Sequence, residues 1–472
     1  MSSAKIVKDT LFYGLVPKLT IFISVFTLPL ITPFLTTYDY GISGVISSYT
    51  GFMIAIMPMG LNVHLTNSFF EFPKHYQLVW GRVLFLMLLS SLLLCIINFL
   101  ILTFTLPMDF SVSLMLLCFL GTVSIIYNVN SILAQHLFPL LQNPKPLVFT
   151  NLSGSLMTIL LSFVMIYYWH MGYWGLVVPG VISGFIVFLL FVKFIWIDHH
   201  IRPLLEHNKR RLTHMVKVGL PLVPHTLGFV FLTNSARVIM SQLDISYNEI
   251  GLYSHGCTMG DYAVMVTTAL TLAIGPQIQR AYRSYDYTKY RSLYYLCQSV
   301  ALISSTCICI WLPEIYSFLI KNEELRQSSS IASLMCFSNV VFAFYVFLST
   351  PVFIGKNTIQ LLWLVFIPGL LNFLLCLIFI PIYGYKAAIY STIIAYWSQL
   401  LIPYFISFYR SNVRMWLGDL RKIIFVFAVL LLSLICAQYF STLMWWIKLL
   451  LTLLIIVLFM FFYRHKRMYE LI

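Results

Sequence analysis

The chain has 472 residues, of which 60% are apolar and 9% charged, and its mean hydropathy is +0.90. Soluble domains run near half apolar and a quarter charged, so this composition excludes a soluble globular protein, a disordered one and a disulfide-stapled one. The net charge of +14 comes from basic residues placed in short loops between apolar runs, which points to membrane topology and not to nucleic acid.

A helix needs about 20 apolar residues to cross a bilayer, and about fourteen such helices would use about 280 residues, close to the apolar share. The apolar runs predict spans over 11–35, 41–63, 83–104, 112–134, 147–168, 176–196, 218–243, 252–274, 293–312, 329–354, 361–380, 387–408, 423–440 and 445–463. The expected fold is an all-α polytopic membrane protein. Residues 1–196 would form a six-helix lobe, 197–217 a basic cytoplasmic connector, 218–409 a second six-helix lobe, and 410–472 two further helices with a basic tail. The N-terminus does not read as a cleaved signal, because Lys5, Lys8, Asp9 and Lys18 interrupt it.

The loops orient the chain. With both termini in the cytoplasm, inner segments hold 23 Lys and Arg residues and outer loops hold four: Lys321, Arg326, Lys386 and Lys448. Lys and Arg resist translocation, so this split fixes the predicted orientation. The remaining two, Lys18 and Arg237, fall inside spans. The nine cysteines lie within or at the ends of apolar runs, contain no C-x-x-C pair, and read as small buried hydrophobes.

A weak internal repeat runs through the chain. Leu15-Val16-Pro17-Lys18 recurs as Leu222-Val223-Pro224-His225, Tyr38-Asp39-Tyr40-Gly41 resembles Tyr247-Asn248-Glu249-Ile250-Gly251, and Gly172-Tyr173-Trp174-Gly175 resembles Gly384-Tyr385-Lys386-Ala387. The offsets stay between 207 and 212. Six spans per repeat keep one orientation, so the two halves would be related by an axis along the membrane normal, with a path between them. Coincidence among proline- and glycine-bearing helix ends is the plainer alternative.

No nucleotide cassette is present. There is no G-x-x-x-x-G-K-[ST], since Gly355-Lys356-Asn357-Thr358 lacks the upstream glycine, and there is neither an H-E-x-x-H nor a Cys/His zinc spacing. The informative groups are ionisable side chains at membrane depth, where burial is costly. Lys18 lies about two turns into the first span. Arg237 lies ten residues before Tyr247 and Asp261 fourteen after it, so the two share a depth and can pair. Asn234 is a further candidate substrate-binding residue. His225 occupies the repeat position equivalent to Lys18. The bland reading is that Lys18 and Arg237 snorkel to head groups and that His225 only packs. The connector around 202–217 would lie against anionic lipid, with attraction of a phosphorylated substrate as a second role.

Several stretches resemble a known family. Lys8-Asp9-Thr10-Leu11-Phe12-Tyr13-Gly14, Lys18, Leu28-Pro29-Leu30 and Tyr40-Gly41 resemble the opening of bacterial O-antigen and capsule polysaccharide flippases, in the multidrug/oligosaccharidyl-lipid/polysaccharide exporter superfamily. Gly219-Leu220-Pro221-Leu222-Val223-Pro224, Arg237 and Gly251-Leu252-Tyr253-Ser254 resemble their mid-chain signature, and 380–388 their eleventh-to-twelfth turn. The resemblance implies an inner-membrane protein with no cofactor. It would move an undecaprenyl-pyrophosphate-linked oligosaccharide outward by alternating access, with H+ or Na+ as coupling ion. Its partners would be membrane lipids and the polysaccharide polymerase and chain-length machinery. The chain departs from the family pattern at Ala236, Thr258 and Pro33, which turns attention to Asp261.

On this reading Lys18 and Arg237 face the central cavity and hold the pyrophosphate, Asp261 with His225 titrates or pairs during exchange, and Asn234 joins them as a substrate-binding residue. A multidrug or cation antiporter of the same superfamily is the nearest rival, but it would favour acids over bases in its cavity. A membrane glycosyltransferase or polymerase would need a catalytic group on a sizeable outer loop. The outer loops are short, and Asp39 alone is a poor candidate for that group.

Overall fold

The computed structural model describes residues 23–106, 112–143, 145–206, 208–220, 223–243, 245–338, 340–354, 359–409, 411, 428, 431–436 and 439–469. Every regular element among them is helical. In chain order these are α1 (Ile23–Phe34), α2 (Thr37–Ile56), α3 (Asn62–Glu71), α4 (Tyr76–Thr105), α5 (Val112–Leu140), α6 (Lys145–Phe163), α7 (Gly172–Phe191), α8 (Lys209–Gly219), α9 (Val223–Gln242) and α10 (Tyr247–Asp261). They continue as α11 (Val264–Arg283), α12 (Tyr287–Ile310), α13 (Leu312–Leu319), α14 (Glu323–Arg326), α15 (Ser329–Ser338), α16 (Val341–Ile354), α17 (Ile359–Tyr383), α18 (Tyr385–Phe405) and α19 (Trp445–Tyr469).

Six of these, with the π turns that prolong two of them, are long and apolar enough to cross a membrane: Tyr76–Thr105, Val112–Leu140, Lys145–Tyr168, Gly172–Asp198, Tyr287–Ile310 and Leu362–Tyr383. The chain is a multi-pass membrane protein. Helix α4 shows why. Its 30 residues rise about 45 Å, beyond the ~30 Å hydrocarbon core. Leu89, Leu93, Ile96, Leu100 and Phe104 form an exposed apolar stripe at helical spacing, while Trp80, Val83, Leu84, Met87, Asn98 and Leu102 are buried on the other side. Such a stripe is untenable in water and is what lipid contact requires.

The chain divides into two compact units. The first comprises Met1–His255, Asn322–Leu325 and Asn357–Ala395. Its buried core joins α2 to α5 and α7 around Trp80, Met87, Val129, Phe138 and Phe191. The Trp80 indole N–H donates to the Leu65 carbonyl at 3.0 Å, which satisfies its one polar group in the core. The connector after α7 lies across the start of α4: Leu204 N donates to Gly81 O at 2.9 Å, and Arg82 pairs with Glu206 at 2.9 Å. Basic α8 presents Met215 inward, and His64 meets the Met215 carbonyl at 2.9 Å.

The second unit comprises Gly256–Lys321, Arg326–Lys356 and Tyr396–Ile472. The Tyr290 hydroxyl donates to Phe347 O at 2.7 Å, and Tyr294 packs between Phe344 and Phe347. Gly256 and Gly260 let the end of α10 rest on Ile331 and Met335 of α15. Lys448, predicted to lie in an outer loop, stands in the first turn of α19; it is buried and paired with Glu314 of α13 at 2.6 Å.

Among the described residues, several predicted spans are interrupted. The run 41–63 breaks after α2, where Pro58 has no N–H to continue the ladder, and Met59 and Gly60 take left-handed conformations (φ 47° and 70°). The run 252–274 breaks at Tyr262 and Ala263, where tight i→i−3 bonds from Tyr262 N to Met259 O and from Ala263 N to Gly260 O replace the helical pattern. Gly260 and Asp261 are poor helix formers at that point. The run 329–354 divides into α15 and α16, with Val340 N bonded to Phe337 O at the same i→i−3 spacing.

The repeat segments share local structure. Thr36 and Asp39 form a capping box at the start of α2, and Ser246 and Glu249 bond reciprocally at the start of α10, 210 residues on. Gly172 and Gly384 both take left-handed φ values, 48° and 66°, immediately before their helices gain their stride. The starts of α2 and α10 also cross reciprocally. A Cβ at Gly41 would meet the Tyr247 carbonyl, and one at Gly251 would meet the Thr37 carbonyl. The Leu15–Lys18 half of the first repeat lies outside the described residues.

Candidate functional site

Helix α9 carries three of the predicted site residues, and its placement follows from close backbone contact. Gly228 and Gly369 let α9 and α17 touch, since a Cβ at Gly228 would sit 2.7 Å from the backbone of Phe366. The Asn372 amide of α17 donates to Phe231 O and Leu232 O at 3.0 and 3.1 Å, satisfying a fully buried polar group. On another side α9 runs antiparallel along α2, with Thr226 donating to Ala55 O at 3.3 Å and Tyr49 within 3.4 Å of the Ser241 hydroxyl.

Arg237 lies in this setting, half-buried. Its Nε donates to Ser254 Oγ of α10 at 3.0 Å. Its Nη1 donates to Thr233 O and to Asn234 Oδ1, both at 3.3 Å. The guanidinium carbon stands 5.7 Å from the centre of the Tyr253 ring, a cation–π distance. Tyr253 is in turn fixed by its hydroxyl, 3.1 Å from Thr392 Oγ1 of α18. Room for the arginine comes from Gly44 and Gly51 of α2. A Cβ at Gly44 would collide with Ser254 Oγ and reach Arg237 Cδ at 3.6 Å, and one at Gly51 would stand 2.8 Å from the Asn234 amide nitrogen.

Every partner of Arg237 in its unit, among the described residues, is neutral; no carboxylate lies at ion-pair distance. A charge taken partly out of water normally gains a counter-charge. Arg237 keeps hydrogen-bonding capacity with no carboxylate beside it among the described residues of its unit, a state suited to receiving an anion.

Asn234 joins Arg237 directly. His225 sits in the first turn of α9, twelve residues and about 18 Å from Arg237 along the axis. Its ring lies edge-on to Phe229, and its buried Nε2 has no hydrogen-bond partner among the described residues. Asp261 ends α10 at the helix break, exposed and in the second compact unit. Lys18 lies outside the described residues.

The sequence marks Tyr253 and Ser254 only within the Gly251–Ser254 stretch that resembles the family signature, and Asp39 only as an outer acid within a repeat segment; none is assigned a role at the site. The Asp39 carboxylate is in fact a junction. Its Oδ2 accepts from Thr36 N and Thr36 Oγ1, both at 2.7 Å, and its Oδ1 accepts from Tyr173 N at 2.8 Å, tying the start of α2 to the start of α7. The signal for part of this is Thr36-x-x-Asp39, a helix-start pattern repeated at Ser246-x-x-Glu249.

Residues 6–282 match the family described as polysaccharide biosynthesis protein. Among solved structures, the lipid II flippase MurJ in an inward closed conformation aligns over 98% of this chain and 99% of its own, with a TM-score of 0.73 at 14% identity. An inward-facing multidrug resistance MATE transporter of the MOP superfamily aligns over 91% and 96%, with a TM-score of 0.60 at 12% identity. The MATE multidrug transporter DinF-BH aligns over 84% and 95%, with a TM-score of 0.51 at 18% identity. A search of curated proteins found no match. The chain is thus a member of the polysaccharide biosynthesis protein family, built on a fold it shares with MurJ and MATE transporters.

Proposed function

We propose that this protein is a transporter and not an enzyme: a flippase that carries an undecaprenyl-pyrophosphate-linked oligosaccharide, such as an O-antigen repeat unit, from the cytoplasmic to the periplasmic leaflet of the inner membrane. The observation that carries this reading is Arg237, a half-buried cation held by Ser254, Asn234 and Tyr253 with no carboxylate at ion-pair distance among the described residues of its unit. A pyrophosphate leaving water needs fixed cations, and a guanidinium offers a planar fork to its oxygens. Membership of a polysaccharide biosynthesis family and the MurJ-like fold support the same substrate class.

The wider reading has fourteen spans, two pseudo-symmetric six-helix lobes and two extra helices, with both termini cytoplasmic and alternating access between the lobes. The 23-to-4 distribution of basic residues supports the orientation. Lys18 supplies a second cation. Asp261, at the α10–α11 break, and His225 exchange H+ or Na+ as the lobes rock. The product is handed to the polysaccharide polymerase and its chain-length machinery. A multidrug antiporter is the second reading, favoured by the MATE-like fold alone; the uncompensated arginine speaks against a cavity for cations.

The test is surface polysaccharide in cells carrying Lys18→Ala, Arg237→Ala or Asp261→Asn at matched protein levels. Reduced surface polysaccharide is expected in each. Undiminished export in all three overturns the assignment.

A further inference from the structure

The α17–α18 hairpin carries a groove that the proposed transport site does not use. Gly384 alone separates the two helices, in a left-handed conformation with φ 66° that makes the tight reversal possible. Between them lies a half-open groove of about 410 Å³. Leu375, Phe379 and Tyr383 of α17 form one wall, and Tyr390 and Ile394 of α18 form the other, with Lys386 at the end nearest the turn. Phe379, Tyr383, Tyr390 and Ile394 are 39, 67, 59 and 53% exposed, and Lys386 is exposed as well.

The turn ends a membrane-spanning helix, so it reaches the water boundary while the rest of the groove runs down into hydrocarbon. From Tyr383 to Leu375 the wall descends about 12 Å. The volume falls in the ~300–1,000 Å³ range of small-molecule sites. An apolar slot by itself accepts any lipid tail. Here the slot has one charged lining residue, a lysine with three donors, and tyrosines at the same end whose hydroxyls can donate beside it. That end complements a phosphate, and the other end complements a chain.

We propose that the α17–α18 groove binds one molecule of anionic glycerophospholipid, with its head group at Lys386 and one acyl chain between Phe379 and Ile394. A prenyl phosphate has the same head-group chemistry. Bulk glycerophospholipid is the committed occupant because the groove adjoins an exposed apolar flank of α17, where Ile378 and Ile382 are 55 and 65% exposed, and mass action favours the abundant membrane component.

Native mass spectrometry of the purified full-length protein tests this, using phosphatidylglycerol and phosphatidylcholine of identical chains. Wild type is expected to retain phosphatidylglycerol preferentially. Lys386→Gln, at an exposed position that folding does not need, should cut that preference about fivefold, the equivalent of about 1 kcal/mol for one surface cation. Ile394→Trp, which fills the slot, should weaken retention of both lipids, while Lys289→Gln at the exposed start of α12 should leave the preference intact. Unchanged preference in Lys386→Gln overturns the site. Displacement of phosphatidylglycerol from wild type by an equal concentration of undecaprenyl phosphate overturns the choice of occupant.

Discussion

Replacing Asp39 by alanine removes more than a helix cap. Its carboxylate accepts three hydrogen bonds, from Thr36 N, Thr36 Oγ1 and Tyr173 N, at 2.7, 2.7 and 2.8 Å, and the residue is 8% exposed. Loss of an N-cap interaction costs about 0.5–2 kcal/mol. A hydrogen bond to a charged group contributes about 1.5–3 kcal/mol, and the Tyr173 N–H would lose its acceptor at a position where Gly172 and Asp39 are in contact. Together these give a destabilisation of about 2–5 kcal/mol. Glu249 is the internal control. Its box involves Ser246 alone and is exposed, so Glu249→Ala should cost no more than about 1 kcal/mol. Asp39→Asn keeps the shape and one carbonyl oxygen, so it should fall between wild type and alanine. The assay is thermal unfolding of purified protein in detergent, followed by tryptophan fluorescence. The reasoning predicts a clear loss in melting temperature for Asp39→Ala, a smaller one for Asp39→Asn and little change for Glu249→Ala. Equal melting temperatures for Asp39→Ala and Glu249→Ala would refute it.

The reciprocal glycine contacts give a second expectation: Gly41→Ala and Gly251→Ala each force a Cβ into a carbonyl of the facing helix, so either should impair export, with cross-linking between cysteines placed at positions 38 and 247 reporting the lost approach. Ser254→Ala removes one bond to the Arg237 guanidinium and should reduce export less than Arg237→Ala does, measured at equal protein levels. Glu314→Gln leaves Lys448 buried without its counter-charge; as Glu314 is part exposed, a stability loss toward the lower end of about 3–5 kcal/mol is expected in detergent melts, and Lys448→Met should recover much of it.

Composition and hydropathy suffice for an all-helical, multi-pass fold, because a ~20-residue apolar run has few soluble uses. The breaks within spans are harder to read. Pro58 is visible as a helix breaker, but the interruption at Tyr262 follows from Gly260 and Asp261 together, and each residue alone is tolerated in a membrane helix. Arg237 stands out because a cation at membrane depth is costly wherever it points. Its setting does not. Ser254 and Tyr253 belong to a stretch that resembles the family signature, but nothing in their sequence ties them to Arg237; the approach of α10 to α9, allowed by Gly44, turns them toward the guanidinium. His225 enters by its repeat equivalence to Lys18, and the rise along α9 places it about 18 Å from Arg237. Asp39 reads as a loop acid because its two partners, Thr36 beside it and Tyr173 far along the chain, become one site only after folding.

The proposed anion recognition by Arg237 is open to direct measurement through binding of undecaprenyl pyrophosphate to the purified full-length protein, wild type against Arg237→Gln. Wild type should bind the pyrophosphate, and the variant should bind it at least about tenfold more weakly, as expected for one lost charge-assisted contact. Equal affinity in the two proteins, with both folded, would contradict the account.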